Sequence, residues 1–385
     1  MAFSTLFSTY KNYKESQLFH RYIHNEMIMP LLKKLPESFS LNVVGKSVLD
    51  RPIYAVKIGN GNKRILLWSQ MHGNESTTTK AIFDIFNAFQ SSDSVCLEIL
   101  STCTLLFIPI LNPDGAQAYT RPNANSVDLN RDAKALSQPE SVVLRKLFDD
   151  FKPHFCFNLH GQRTIFSAGN TDSAATLSFL SPAEESSRLV TNTRKKAMEV
   201  ISAVNNCMQQ VIPNQIGRYD DTYNENCVGD TFQSLGVPTI LYEAGHFSKD
   251  YAREQTREFI YQSLLIALHY IATKEVSGEN YEPYFDIPQN EKCFFDIIIR
   301  NAKVGKSGFV TDLAFQYQEQ LVDNHIKFKP ILEKNENLDK FFGHREYNAN
   351  GSLVSAPNFQ EIQVGFANDF VLINNEEYSL LLSES

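Results

Sequence analysis

Several common features are missing from this 385-residue sequence. Its six cysteines (Cys96, Cys103, Cys156, Cys207, Cys227 and Cys293) form no CxxC pair and no regular framework. Reduced, packed thiols are therefore expected rather than disulfides. Basic charge is not in excess: 36 Lys and Arg face 44 Asp and Glu, a net charge of -8. No basic excess exists to neutralise phosphates, which argues against a nucleic-acid partner. No stretch approaches the roughly 20 apolar residues needed to span a bilayer, so no membrane association is expected. The opening MAFSTLFSTYKNYKES lacks a basic start followed by an apolar core, so it does not read as a secretory signal, and a cytoplasmic location is the expectation. Internal repeats and low-complexity tracts are absent as well.

What remains is the composition of a soluble globular protein, 43% hydrophobic and 12% aromatic. The length exceeds what one core usually supports, so two domains are expected. From about Arg64 to Thr273, short apolar runs alternate with amphipathic patterns, which predicts an α/β fold covered on both faces. The runs Ile65–Trp68, Leu105–Leu111, Phe155–Leu159 and Thr239–Tyr242 read as strands buried on both sides. Ser40–Val44 and Ile53–Ile58 read as a hairpin. Ile82, Ile85, Phe86 and Phe89 form one helical stripe. Ser137 and Glu140 suggest a capping box ahead of Leu144, Leu147, Phe148 and Phe151. Longer helices are predicted over Glu185–Val211 and Arg253–Ile271. A polar stretch with two prolines and a glycine follows and reads as a linker over 276–292. Beyond it, DIIIRNAKV, DLAFQYQEQ, HIKFKPI and NDFVLIN predict a small all-β domain over 293–385, after a first domain over 1–275.

Polar residues cluster just after the buried strands. His72 and Glu75 follow the first, in SQMHGNEST. Arg121, Asn130 and Arg131 follow the second. His160 follows the third, in FNLHGQ, and Glu243 the fourth, in TILYEAGH. In open α/β sheets, ligands bind beyond the carboxyl ends of the strands, near a switch in strand order. Two histidines and a carboxylate, here His72, Glu75 and His160, are a ligand set for a catalytic zinc that keeps a fourth position open. Taken singly, Glu75 also reads as a carboxylate at a helix N-terminus, and His160 as a satisfied strand-end histidine.

The set HGNE (His72–Glu75), NPDG (Asn112–Gly115), DLNRD (Asp128–Asp132), LHG (Leu159–Gly161) and YEAG (Tyr242–Gly245) resembles the zinc metallocarboxypeptidases, the family of carboxypeptidase A, over about residues 40–275. The resemblance implies a mixed, mostly parallel sheet and one zinc ion held by His72, Glu75 and His160. It implies Glu243 as general base and Arg121 as the cation that stabilises the oxyanion. Asn130 and Arg131 match the pair that grips the substrate's terminal carboxylate, a task suited to a guanidinium. A mobile tyrosine of the family has two counterparts, Tyr219 and Tyr223, and spacing favours Tyr223. His246 has no counterpart in the digestive members, and its role stays open.

The sequence departs from that pattern after LHG, where Gln162 and Arg163 stand in place of Ser-Tyr. The stretch Cys227–Asp230, expected to floor the side-chain pocket, does not align to one residue, so substrate preference is undetermined. The leading expectation is a peptidase acting on peptides with a free C-terminal carboxylate. The aspartoacylase and succinylglutamate desuccinylase branch, which deacylates N-acyl amino acids, shares several of these residues and a small β-rich domain. An inactive carboxylate-binding homologue is the third alternative, though it would predict the loss of a ligand or of the base.

Overall fold

Alternation within the apolar runs builds the central sheet. Ile65 and Leu67 join one apolar cluster, while Leu66 and Trp68 join another. Leu105 and Phe107 divide from Leu106 and Ile108 in the same way. Successive strand side chains point to opposite faces, so a run apolar at every position is buried on both. The computed structural model describes residues 3–305 and 308–382. The ends of the expected domains, 1–2 and 383–385, and residues 306–307 lie outside it.

Eight strands form this sheet: β1 (Ser40–Lys46), β2 (Pro52–Ile58), β3 (Lys63–Ser69), β4 (Cys103–Ile108), β5 (Phe155–Gly161), β6 (Leu177–Leu180), β7 (Ile216–Arg218) and β8 (Thr239–Ala244). Their spatial order is β1-β2-β4-β3-β5-β8-β6-β7. The four central strands β4, β3, β5 and β8 are parallel, and antiparallel pairs adjoin them at β2 and β6. The fold is thus mixed α/β with a mostly parallel core. Helices Thr77–Ala88, Ser94–Thr102, Asn192–Met208 and Glu254–Thr273 contribute to the larger apolar cluster. Pro139–Phe151 and Val228–Ser234 contribute to the smaller one on the other face.

Helix Thr77–Ala88 is tied to Glu254–Thr273 by a fully buried ion pair. Arg257 donates through Nε and Nη2 to the two Asp84 oxygens, at 2.7 and 2.6 Å. Asp84 also accepts from the Tyr10 hydroxyl (2.9 Å) and the Glu15 amide (2.8 Å). Every charge there has a partner, which is the condition for keeping ions out of water.

The chain divides into two units, Met1–Gln162 with Ala175–Asn290, and Arg163–Ala174 with Glu291–Ser385. The second holds a four-stranded sheet of Phe294–Lys303, Val310–Val322, His325–Glu336 and Phe342–Asn348. A three-stranded antiparallel sheet, Val354–Ser355, Phe370–Ile373 and Glu376–Ser379, accompanies it. Residues 163–174 belong to this unit through specific bonds. Thr164 accepts from Gln316 (2.6 Å) and His344 (2.7 Å), and the Ile165 carbonyl accepts from Phe294 (3.1 Å).

Three expectations are corrected. The stretch 276–292 is no free linker: Tyr284, in a 3-10 turn over Glu282–Asp286, and Ile287 are both buried in the first unit's larger cluster. The Ser137/Glu140 capping box does not form. Asp132 instead accepts from the Ser137 amide and hydroxyl and the Gln138 amide, and Glu140 accepts from Val48 and Asn123. The helix expected over Glu185–Val211 begins only at Asn192, where the Thr191 hydroxyl caps the Arg194 amide at 3.3 Å.

Candidate metal centre and cleft

The order β4-β3-β5 reverses the chain's direction of travel across the sheet, and the segments leaving β3 and β5 meet at that switch. After β3 the backbone turns left-handed at Gln70 (φ 45°), not at Gly73. The Gln70 amide donates to the Ile23 (3.0 Å) and Gly73 (2.7 Å) carbonyls, and its oxygen accepts from Thr79 (2.7 Å). Gly73 serves a different need. A Cβ there would stand 1.9 Å from the Gly115 carbonyl carbon, so only glycine lets this turn lie against the NPDG segment. Asn112 completes the junction: its amide donates to the Gln70 carbonyl (3.0 Å) and its side chain to that of Met71 (3.2 Å).

His72, Glu75 and His160 converge beyond this turn, with their ligand atoms within 4.8 Å of one another. His72 Nδ1 stands 3.0 Å from Glu75 Oε1, His160 Nδ1 2.9 Å from Glu75 Oε2, and the two Nδ1 atoms 3.1 Å apart. Both histidines are buried. Glu75 is not a helix cap, since the helix starts at Thr77 and has no acid in its first turn.

Asp128, within DLNRD, stands against His72. Its Oδ1 lies 2.9 Å from His72 Nε2 and accepts from the Asn130 amide (2.9 Å). A carboxylate on Nε2 holds that proton in place and leaves the Nδ1 lone pair facing Glu75 and His160. His72 Nδ1 and the Glu75 carboxylate then turn lone pairs toward the centre of the group, and with His160 Nδ1 they form a donor set that suits a divalent cation such as zinc. The signal was the acidic residue itself, but its partner stands 56 positions away in sequence.

The other expected site residues line one cavity of about 720 Å³ with these histidines: Arg121, Asn130, Arg131, Tyr219, Tyr223 and Glu243. Arg121 donates to Asp128 Oδ2 (3.0 Å) and Glu75 Oε1 (3.3 Å). Arg131 donates to the Asn130 carbonyl (2.7 Å) and Cys227 Sγ (3.1 Å). Asn130 Oδ1 accepts from the Val228 amide at 3.0 Å. Glu243 pairs in register with His160 across β5 and β8. Burial, and then the Glu75 carboxylate, raise its pKa well above the usual carboxylate range. Its Oε2 is buried without a partner among the described residues. The Tyr219 hydroxyl is anchored on Gln162 (2.7 Å), whereas Tyr223 makes no such side-chain bond among the described residues. His246 is buried against the Tyr251 ring and is not one of the cavity's lining residues.

The chain belongs to the zinc carboxypeptidase family, whose model matches residues 24–265. Among curated relatives, carboxypeptidase 2 of Trichophyton rubrum is 26% identical over 101 residues, which cover 26% of this chain and 19% of the relative. Carboxypeptidase M of Mus musculus is 25% identical over 177 residues, 38% of this chain and 40% of the relative. The matched region thus spans about a fifth of the fungal relatives' length. The solved carboxypeptidase A of Helicoverpa armigera shares the fold with a TM-score of 0.52 and 16% identity, covering 66% of this chain and 75% of that one.

Proposed function

We propose that this protein is a zinc-dependent carboxypeptidase that hydrolyses the peptide bond next to a free C-terminal carboxylate. The observation that carries the reading is one cavity lined by His72, His160, Glu243, Arg121 and Arg131, beside a buried group of converging acceptors. His72, Glu75 and His160 would hold one zinc ion, which supplies Lewis-acid polarisation of the scissile carbonyl.

The chain's own groups account for the rest. Glu243, kept from solvent and raised in pKa, takes a proton from the attacking water and returns it to the leaving amine. Arg121, fixed by Asp128, presents positive charge where the oxyanion develops. Arg131 and Asn130 bind the terminal carboxylate, and Tyr223, free of the bond that fixes Tyr219, closes on the scissile amide.

Metal analysis and a mass-spectrometric peptide assay test this together. One zinc per chain and release of the last residue from free, but not amidated, peptides are expected. Hydrolysis of N-acyl amino acids in place of peptides would move the protein to the deacylase branch. Zinc-free protein with no hydrolysis of either would make it a carboxylate-binding homologue. Glu243→Gln should keep its zinc while turnover falls by about 10²–10⁴-fold. Retained turnover would take the base role from Glu243.

A further inference from the structure

Arg194 is 1% exposed and stands in the first turn of helix Asn192–Met208. That end of a helix carries the positive pole of the backbone dipoles, so a buried cation is out of place there unless it meets strong acceptors. It meets four. Nη1 donates to the Arg188 (2.7 Å) and Leu189 (3.3 Å) carbonyls, and Nη2 to the Ser181 carbonyl (3.1 Å) and Asp221 Oδ2 (2.7 Å). Among the described residues, Asp221 supplies the one carboxylate within pairing distance of Arg194. The exposed Arg188 adds a longer contact to Asp221 Oδ1, at 3.5 Å.

Two walls of the cleft meet on this guanidinium from behind. Leu180 and Pro182 line the cleft, but Ser181 between them does not, and its hydroxyl donates to the Arg194 carbonyl (3.2 Å). Asp220, Thr222 and Tyr223 line it as well, but Asp221 does not. In each segment the residue between the lining positions is bonded to Arg194 instead. The first segment ends β6 and the second follows β7, which pairs with it, and the Tyr219 amide donates to the Phe179 carbonyl at 3.0 Å. Tyr223 comes two residues after the ion pair. A side chain without a hydrogen bond of its own is aimed through the backbone that carries it, and here that backbone is anchored at Asp221.

We propose that the Arg194–Asp221 ion pair is a positioning latch for the hydrolysis: it fixes the root of the 219–226 loop and so sets where Tyr223 meets the scissile amide. The proposal rests on the carboxypeptidase reading and adds to it two residues that touch no substrate. A guanidinium suits the task, because one planar fork reaches the Ser181 carbonyl and the Asp221 carboxylate together and keeps the two walls at a set spacing. An ammonium in its place would be a point charge without that fork.

The test is a double-mutant cycle on the zinc-loaded full chain, read as kcat on a peptide with a free C-terminus. Asp221→Asn should lower kcat by about 10–100-fold, the effect of misplacing a group by about 1 Å. In a Tyr223→Phe background the same change should lower it by no more than about twofold, because the group being aimed is already gone. Equal losses in the two backgrounds would make the pair a structural brace and overturn the proposal, and so would an unchanged kcat in folded Asp221→Asn protein. Where Asp221→Asn does not fold, Arg194→Met with Asp221→Leu removes both charges together and enters the same cycle. Hydrogen exchange separates the latch from the reading beneath it. The backbone amides of 222–226 should exchange faster in Asp221→Asn by about tenfold or more, the contribution of one charge-assisted hydrogen bond. In a protein that cuts no peptide, the carboxypeptidase reading falls. Faster exchange in the variant then leaves the latch standing, and equal exchange sinks it too.

Discussion

Helix Thr77–Ala88 starts beside one buried polar cluster and carries another. At its head, His72, Glu75 and His160 turn their ligand atoms toward one another. In its body, Asp84 meets Arg257 in a pairing that satisfies donors and acceptors alike. The second cluster is balanced within the chain, whereas at the first, two carboxylates, Glu75 and Asp128, share the single Arg121 guanidinium. That difference in charge balance, rather than burial or residue type, separates a site from a piece of structure.

Breaking each cluster should therefore have different consequences. His160→Ala has the largest expected effect: zinc and turnover are lost together, as metal analysis and the peptide assay will show. Unchanged zinc content would contradict the ligand assignment. Asp84→Ala should cost about 3–5 kcal/mol of stability by stranding Arg257, with the folded protein still holding its zinc. Chemical denaturation measures it, and the double change Asp84→Leu with Arg257→Met should recover most of the loss. Asp128→Asn should weaken zinc binding by about 10–100-fold, with activity restored when zinc is in excess. An affinity equal to wild type would mean that Asp128 does not orient His72. At the rim of the cleft, Arg131→Lys should raise KM about tenfold with kcat kept, the loss of one charge-assisted hydrogen bond. An unchanged KM would place the carboxylate anchor elsewhere.

The sequence made some of this legible and hid the rest for identifiable reasons. The four central strands could be read because runs such as Ile65–Trp68 feed two cores at once. The polar residues of the cleft could be read because His160 and Glu243 close β5 and β8 and the others come after β3 and β4, at the edge where α/β sheets open to ligands. Asp128 escaped assignment because nothing local marks an aspartate as the partner of His72. Ser137 and Glu140 have the spacing of a capping box, but Asp132 takes the Ser137 amide that Glu140 would accept, and the Ser137 hydroxyl with it. The departure at Gln162 and Arg163 marks where the chain leaves the first unit, a crossing that no periodicity announces. The polar stretch after Thr273 hid two anchors, Tyr284 and Ile287, among residues that favour loops.

Gly73 and the NPDG segment have a mechanical consequence. With no side chain between them, and with Asn112 stitched to Gln70 and Met71, the loop bearing His72 and Glu75 and the loop leading to Arg121 form a single rigid block. A methyl group at position 73 would pry that block apart and displace the imidazole of His72 and the guanidinium of Arg121 in one movement. Two short words of sequence, about forty residues apart, thus behave as one hinge-less part.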